Sequence, residues 1–349
     1  MQIRSRVGVV SRYALEKSQT AVTPLGSAAA GCARQAPAAA IASSAAIPSR
    51  GTFALQCHDP DSKVFFRNIL VNPLPDDLPM ATEERPVVDE VYRELLRMNA
   101  GNYPVVDYHV HLKGGLTLEE ALRESRRLGI MYGIAINCGL GFPVNNDAGA
   151  EEFLRSMKGQ PAFVAVQGEG REWVKLVSKE TIAKFDYVFT DAMTFTDDSG
   201  KRLRLWIDDE VGEIKDPERF TEMCVNRILG VLEHEPIDIY ANPTFLPKAI
   251  AADYDRLWTP QRMQRVIAAA KRNDVAIEIN NTYRLRSPAF IKAARKAGVK
   301  FSFGTNNSDK KLGRIEYGVK MVKECGLQWQ DIFVPKPEGE KPVQKRALS

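Results

Sequence analysis

Between Pro104 and Cys325 the chain alternates seven times between a short run of β-branched and aromatic residues and a longer stretch of helical period. Such alternation marks βα units, and consecutive units build a parallel sheet with helices on its outer face. The β-type runs fall at 105–112, 132–138, 162–167, 186–190, 237–240, 275–279 and 300–303. Helices are expected from Thr117 to Gly129, around 148–158, briefly after Ser178, and over 217–234, 260–272, 288–297 and 311–325. The first of them opens on a capping box, Thr117 with Glu120 three residues on, and stops at a glycine. Seven units predict an α/β fold, a TIM-like (β/α)7 barrel over residues 85–334, closed or nearly so.

Polar residues collect where these strands hand over to their loops: Asp107, His109 and His111; Asn137 and Cys138; Glu169; Asp191; Asn242; Glu278 and Asn280; Asn306 and Asn307. Loops at the carboxyl ends of parallel barrel strands converge on one mouth, where active sites are built. A barrel without a site there has no need of polar side chains at the end of nearly every strand.

The first strand, Val105-Val106-Asp107-Tyr108-His109-Val110-His111-Leu112, carries two of the four histidines of the chain. Side chains alternate along a strand, so Asp107, His109 and His111 share a face. Two imidazoles so placed can grip one cation, and the carboxylate can orient a ring or join the ligand set. The bland alternative is a pair of hydrogen-bonded structural histidines.

Composition narrows the remaining classes. The net charge of +4 resides in residues 1–58, where six Lys/Arg meet one acid, Glu16; the remainder holds 42 basic and 43 acidic residues, with no excess that would draw nucleic acid. The same Ala/Ser-rich stretch has too little large apolar surface to fold alone, so residues 1–84 are expected to be disordered or a targeting segment. A cytoplasmic location is expected, or export or organelle import if residues 1–58 are a targeting signal. No run is long and apolar enough for a membrane span. The five cysteines form no C-x-x-C pair, which argues against a disulfide framework or a structural zinc knuckle. The tail after Pro335 is charged and proline-containing, and residues 335–349 are expected to be disordered.

Over residues 104–328 the chain resembles the polymerase-and-histidinol-phosphatase (PHP) family. The likeness rests on Asp107-x-His109-x-His111, on seven βα units rather than eight, on Gly168-Glu169, and on Phe303-Gly304-Thr305-Asn306-Asn307-Ser308 followed by Leu312-Gly313-Arg314. It implies a metal-dependent hydrolase, usually of phosphate esters, with a multinuclear centre. Position by position the match is incomplete. Thr117, Asn137-Cys138, Met193, Asn242, Asn306 and Ser308 stand where the family keeps metal ligands. What survives is the set for one cation: His109, His111 and Glu169, with Asn306 in place of the closing aspartate. The resemblance therefore implies one divalent ion, Zn, Mn or Fe, rather than a trinuclear centre.

Around that site Asp191 and Glu278 are candidate proton carriers, although Asp191 could instead cap a loop and Glu278 could pair with Arg284. Asn242, Asn280, Arg284 and Arg286 are candidate substrate contacts, since arginines and amides at a barrel mouth can grip a phosphate, carboxylate or sugar. Cys138 reads as a small buried hydrophobe more than as a thiolate ligand. Arg202 and Arg204, with Trp206, could form a lid. Three functions compete: a single-metal hydrolase of a small-molecule substrate; a barrel that binds a polar ligand or protein partner without catalysis; and an amidohydrolase-like deacetylase or deaminase, which would want further histidines late in the barrel. The oligomeric state is not legible.

Overall fold

The computed structural model describes residues 88–196, 201–284 and 287–346, all within the unit Met80–Ser349. The expectations for residues 1–84 and for Arg286 lie outside the described residues.

A helix not anticipated from the sequence comes first, α1 (Glu90–Ala100), capped by Asp89, whose side chain accepts from Tyr92 N. There follow β1 (Val106–His111), α2 (Leu118–Leu128), β2 (Met131–Cys138), α3 (Asp147–Ser156), β3 (Phe163–Gly168), the short α4 (Trp173–Leu176) and α5 (Lys179–Ile182), and β4 (Tyr187–Thr190). A two-stranded excursion, β5 (Thr194–Thr196) against β6 (Arg202–Arg204), leads through α6 (Asp208–Val211) to the long α7 (Pro217–His234). Then come β7 (Ile239–Tyr240), α8 (Tyr254–Leu257), α9 (Pro260–Arg272), β8 (Ala276–Asn280), α10 (Pro288–Lys296), β9 (Phe301–Gly304), α11 (Glu316–Cys325) and α12 (Pro342–Lys345).

Seven of these strands, in the order β1-β2-β3-β4-β7-β8-β9, close into a parallel barrel. The fold is thus the expected α/β barrel of the TIM type. Local chemistry explains why the elements start where they do. Thr117 and Glu120 form the capping box of α2, Gly129 ends it in the left-handed conformation, and proline occupies the first turn of α7, α9 and α10.

The seam between β1 and β9 is where the backbone ladder is thinnest, with one register pair, Asp107 and Phe303. Side chains complete it. Asp107 Oδ1 accepts from the amides of His109 and Thr305, and its Oδ2 from the Thr305 hydroxyl. Asn307 pairs with His111 as a strand residue would, accepting from His111 N at 2.8 Å and donating to His111 O at 2.8 Å. Asn306 N donates to His109 O.

Two expectations are corrected here. Helix α11 starts at Glu316 rather than 311, because Ile315 adopts φ +51, which a β-branched residue cannot propagate as helix. The tail is not disordered through residue 346. Val343 is 1% exposed, and the Lys341 ammonium donates to the carbonyls of Ala183 and Phe185 beneath β4.

Candidate functional site

The carboxyl ends of the strands bring His109, His111, Asn137, Glu169, Asp191, Asn242, Glu278 and Asn280 together as buried polar residues at one end of the barrel. His109 and His111 are each 1% exposed, and their ring centroids lie 5.1 Å apart at 74°. Phe189 of β4 packs edge-on against His109, with centroids 4.5 Å apart.

Each imidazole is fixed through Nδ1. His109 Nδ1 lies 2.5 Å from Glu278 Oε1, and His111 Nδ1 lies 3.0 Å from Ala135 O. A carbonyl only accepts, so His111 carries its proton on Nδ1 and presents a lone pair at Nε2. The Glu278 carboxylate favours the same tautomer at His109. Burial, then the neighbouring His109 and Lys113, holds the His111 pKa well below the usual imidazole value, so this ring is neutral near pH 7. Among the described residues neither Nε2 has a hydrogen-bond partner. Two buried Nε2 atoms on one strand, the His111 one carrying a lone pair, are the groups a cation would use.

The acidic side of the site is arranged differently from the expectation. Glu169 Oε1 accepts from Asn137 Nδ2 at 2.6 Å, and that same amide also donates to Gln167 Oε1. Burial, reinforced by the Asp191 carboxylate, pushes the Glu169 pKa up to about 7. Asp191 accepts from Met193 N through Oδ1 and from Asn242 Nδ2 through Oδ2, while Arg171 donates to its backbone carbonyl. Burial raises its pKa against the pull of the Met193 amide. Among the described residues no group of three or more His, Cys, Asp or Glu side chains is arranged to hold a metal ion. Glu169, the acid expected to complete the ligand set, is held by Asn137 and does not join the two imidazoles. Asn306 contributes its backbone to the β1–β9 seam at φ +49, and no contact places its amide oxygen among the ligands.

Glu278, expected as a proton carrier or a partner of Arg284, is paired with His109 rather than with Arg284. Its Oε1 is committed to His109 and its Oε2 accepts from Asn280 Nδ2 at 2.9 Å. It reaches His109 because β9 carries Gly304 between them: a Cβ there would lie 2.1 Å from Glu278 Oε1 and 2.8 Å from His109 Cβ. Asp107, a candidate to orient a ring, serves the seam instead. Asn280 Oδ1 accepts from the amides of Thr282 and Tyr283 and shapes the loop after β8. Cys138 is fully buried, and burial pushes its thiol up to about 12. Arg204 is paired with Glu210 on its own excursion, whereas Arg202 lies over the Phe142 ring of the β2 loop at 5.7 Å.

The β7 and β8 loops form a cavity of about 330 Å³ lined by Asn242, Asn280, Phe245, Tyr283, Lys248 and Arg284 among others. Three of the four expected substrate contacts thus share one pocket. Sequence reasoning missed Gln167, Arg171 and Lys113. Lys113 lies two residues beyond the end of β1 and is exposed, its pKa lowered by desolvation against the attraction of Glu169.

No protein-family model matches the chain. No curated protein matches it either. Among solved structures, the deoxyribose phosphate aldolase from Aeropyrum pernix is similar over 74% of this chain and 98% of its own, at 9% identity and a TM-score of 0.34. The YdjI aldolase from Escherichia coli K12 matches over 68% and 94%, at 12% identity and a TM-score of 0.28. A protein from Roseovarius nubinhibens described as a mandelate racemase/muconate-lactonizing enzyme, complexed with magnesium, matches over 58% and 54%, at 11% identity and a TM-score of 0.27. At such values the chemistry of this chain rests on the geometry of its own site.

Proposed function

We propose that this chain is a divergent PHP-type barrel and that its mouth is the active site of a metal-dependent hydrolase acting on a small polar substrate, such as a phosphate ester. The observation that carries the reading is the state of two imidazoles: His109 and His111, buried on one strand, with Nδ1 engaged and Nε2 unpartnered among the described residues. Leaving buried polar atoms unpaired costs stability, and such atoms recur where a site waits for its ligand. A single divalent ion, Zn, Mn or Fe, would be held by His109 Nε2 and His111 Nε2, with Glu169 joining after release from Asn137. When bound, the ion supplies Lewis acidity and a water acidified toward neutrality.

The chain's own residues supply the rest. Glu278 holds the His109 ring in its tautomer and orientation. Burial and the neighbouring Asp191 raise the Glu169 carboxyl in the metal-free site, and a bound cation would favour its carboxylate form. Asn242 fixes the Asp191 carboxyl beside it, and the cations Lys248 and Arg284 line the pocket where an anionic substrate group would rest.

The test is metal analysis of protein purified without chelator, comparing the wild type with the His109→Ala/His111→Ala double variant. About one transition metal per wild-type chain, lost in the variant, supports the reading. Protein that takes up no metal under any loading condition, and hydrolyses none of a panel of phosphomonoesters, diesters, lactones and amides, overturns it.

A second reading, a barrel that binds a polar ligand without turning it over, is favoured by one observation: all three acids at the mouth accept from side-chain amides, Glu169 from Asn137, Asp191 from Asn242 and Glu278 from Asn280.

A further inference from the structure

Asn242, which lines the cavity between the β7 and β8 loops, carries a buried atom that none of its neighbours uses. Asn242 is 5% exposed and adopts φ +52, a left-handed conformation that asparagine tolerates better than most residues. Its Nδ2 donates to Asp191 Oδ2 at 3.3 Å, while its Oδ1 is buried and has no partner among the described residues. A buried acceptor in this state calls for a hydroxyl or N–H donor. Strained backbone held in place at a pocket wall is also a recurrent feature of ligand sites.

The rest of the lining restricts the donor further. Phe245 and Tyr283 meet edge to face, centroids 5.1 Å apart at 80°, and Tyr283 is 38% exposed, which leaves an aromatic surface for the C–H face of a ring. Lys248 and Arg284 line the cavity, and among the described residues no Asp or Glu does. Lys248 pairs with Asp208 at 3.2 Å, but both side chains are well exposed, so an incoming anion can replace that pair at little cost. The volume, about 330 Å³, lies at the small end of ligand pockets and suits one ring rather than a dinucleotide or a peptide.

We infer that this pocket binds a small hydroxylated ring bearing one acidic group, an anionic sugar or cyclitol. One ring hydroxyl donates to Asn242 Oδ1; the ring face lies on Tyr283; the carboxylate or phosphate meets Arg284 and Lys248. A purely apolar ligand would leave Asn242 Oδ1 unpaired, and a cation would be repelled. This inference rests on the reading of the mouth as a substrate site, but it requires no metal.

The experiment is calorimetric titration of the full chain with glucuronate, glucose 6-phosphate and glucose. At least one of the two acids is expected to bind about tenfold tighter than glucose, the worth of one charge-assisted hydrogen bond. Which acid does so identifies the anionic group. Arg284→Gln should abolish that preference, and Asn242→Gly, which keeps the left-handed backbone accessible, should weaken the acid about tenfold. Circular dichroism and urea midpoints confirm that both variants fold. The His109→Ala/His111→Ala variant should keep acid binding even where metal and turnover are lost, so failure of the hydrolase reading and failure of this one are separable. Equal binding of acid and neutral sugar, or no binding of either acid up to about 10 mM, overturns the inference.

Discussion

Glu278 and His109 stand 169 residues apart in the chain, and Glu278 Oε1 lies 2.5 Å from His109 Nδ1 inside the barrel wall. The carboxylate belongs to β8 and the imidazole to β1, with β9 and its Gly304 between them. The pair sets which nitrogen of His109 faces the mouth, and much of the site's chemistry depends on that choice.

Removing the carboxylate should therefore loosen the ligand rather than the fold. Glu278→Gln is expected to weaken Zn affinity by about 10–100-fold, the usual cost of losing a partner that orients a metal-bound histidine. Competition with a chromophoric chelator measures it. Unchanged affinity would show that the His109 orientation does not depend on Glu278.

Gly304→Ala should produce a related loss by a steric route. The added methyl would sit 2.1 Å from Glu278 Oε1, so either the carboxylate or the strand must move. Expected are a lower urea midpoint and a loss of Zn affinity comparable to that of Glu278→Gln.

Asp107 closes the barrel, and its loss should be felt as instability. Asp107→Ala leaves three donors at the seam without their acceptor, the amides of His109 and Thr305 and the Thr305 hydroxyl. A loss of at least about 3 kcal/mol of unfolding free energy is expected from urea denaturation. A change under 1 kcal/mol, about what a routine surface substitution gives, would rule out the seam as a main support.

Stability should decline as pH rises toward neutrality. Burial pushes the Asp238 carboxyl up to about 7, partly offset by the bond it accepts from Val188 N, whereas an unfolded aspartate titrates near 4. Between those values the folded chain holds a proton that the unfolded chain has released, so raising the pH favours unfolding, by up to about 1.4 kcal/mol per unit for one such group. Glu235, pushed up to about 6 chiefly by burial, adds to the slope with the same sign at the lower end. Unfolding free energies between pH 5 and 8 should fall, and Asp238→Asn should flatten the curve. A wild-type curve that rises through this range would contradict the assignment.

The tail is expected to behave as part of the barrel. Lys341→Ala removes two bonds to the carbonyls of Ala183 and Phe185, and Val343→Asp buries an unpaired charge. Both should lower the urea midpoint, the second more. Tail variants as stable as the wild type would return residues 335–346 to the status of an appendage.

Much of this protein could be read along the chain. The barrel, the bounds of α7 and α9, the capping box of α2 and the two histidines on one face all follow from signals within a few residues of each other: periodicity, capping side chains and the alternation of a strand. Other features lay beyond that range. Nothing near Glu278 reveals that it will grip His109, nothing near Asn307 that it will pair with His111 as a strand would, and nothing in the charged tail that Lys341 will find two carbonyls under β4. Asn306, Asn307 and Glu169 read alike as polar residues at strand ends, yet one lends its backbone to the seam, one clamps it, and one is held by Asn137. Local sequence sets which elements form and which face each side chain takes. Closing the barrel sets which distant groups meet, and only that meeting decides whether a buried polar atom is paired or left open for a ligand.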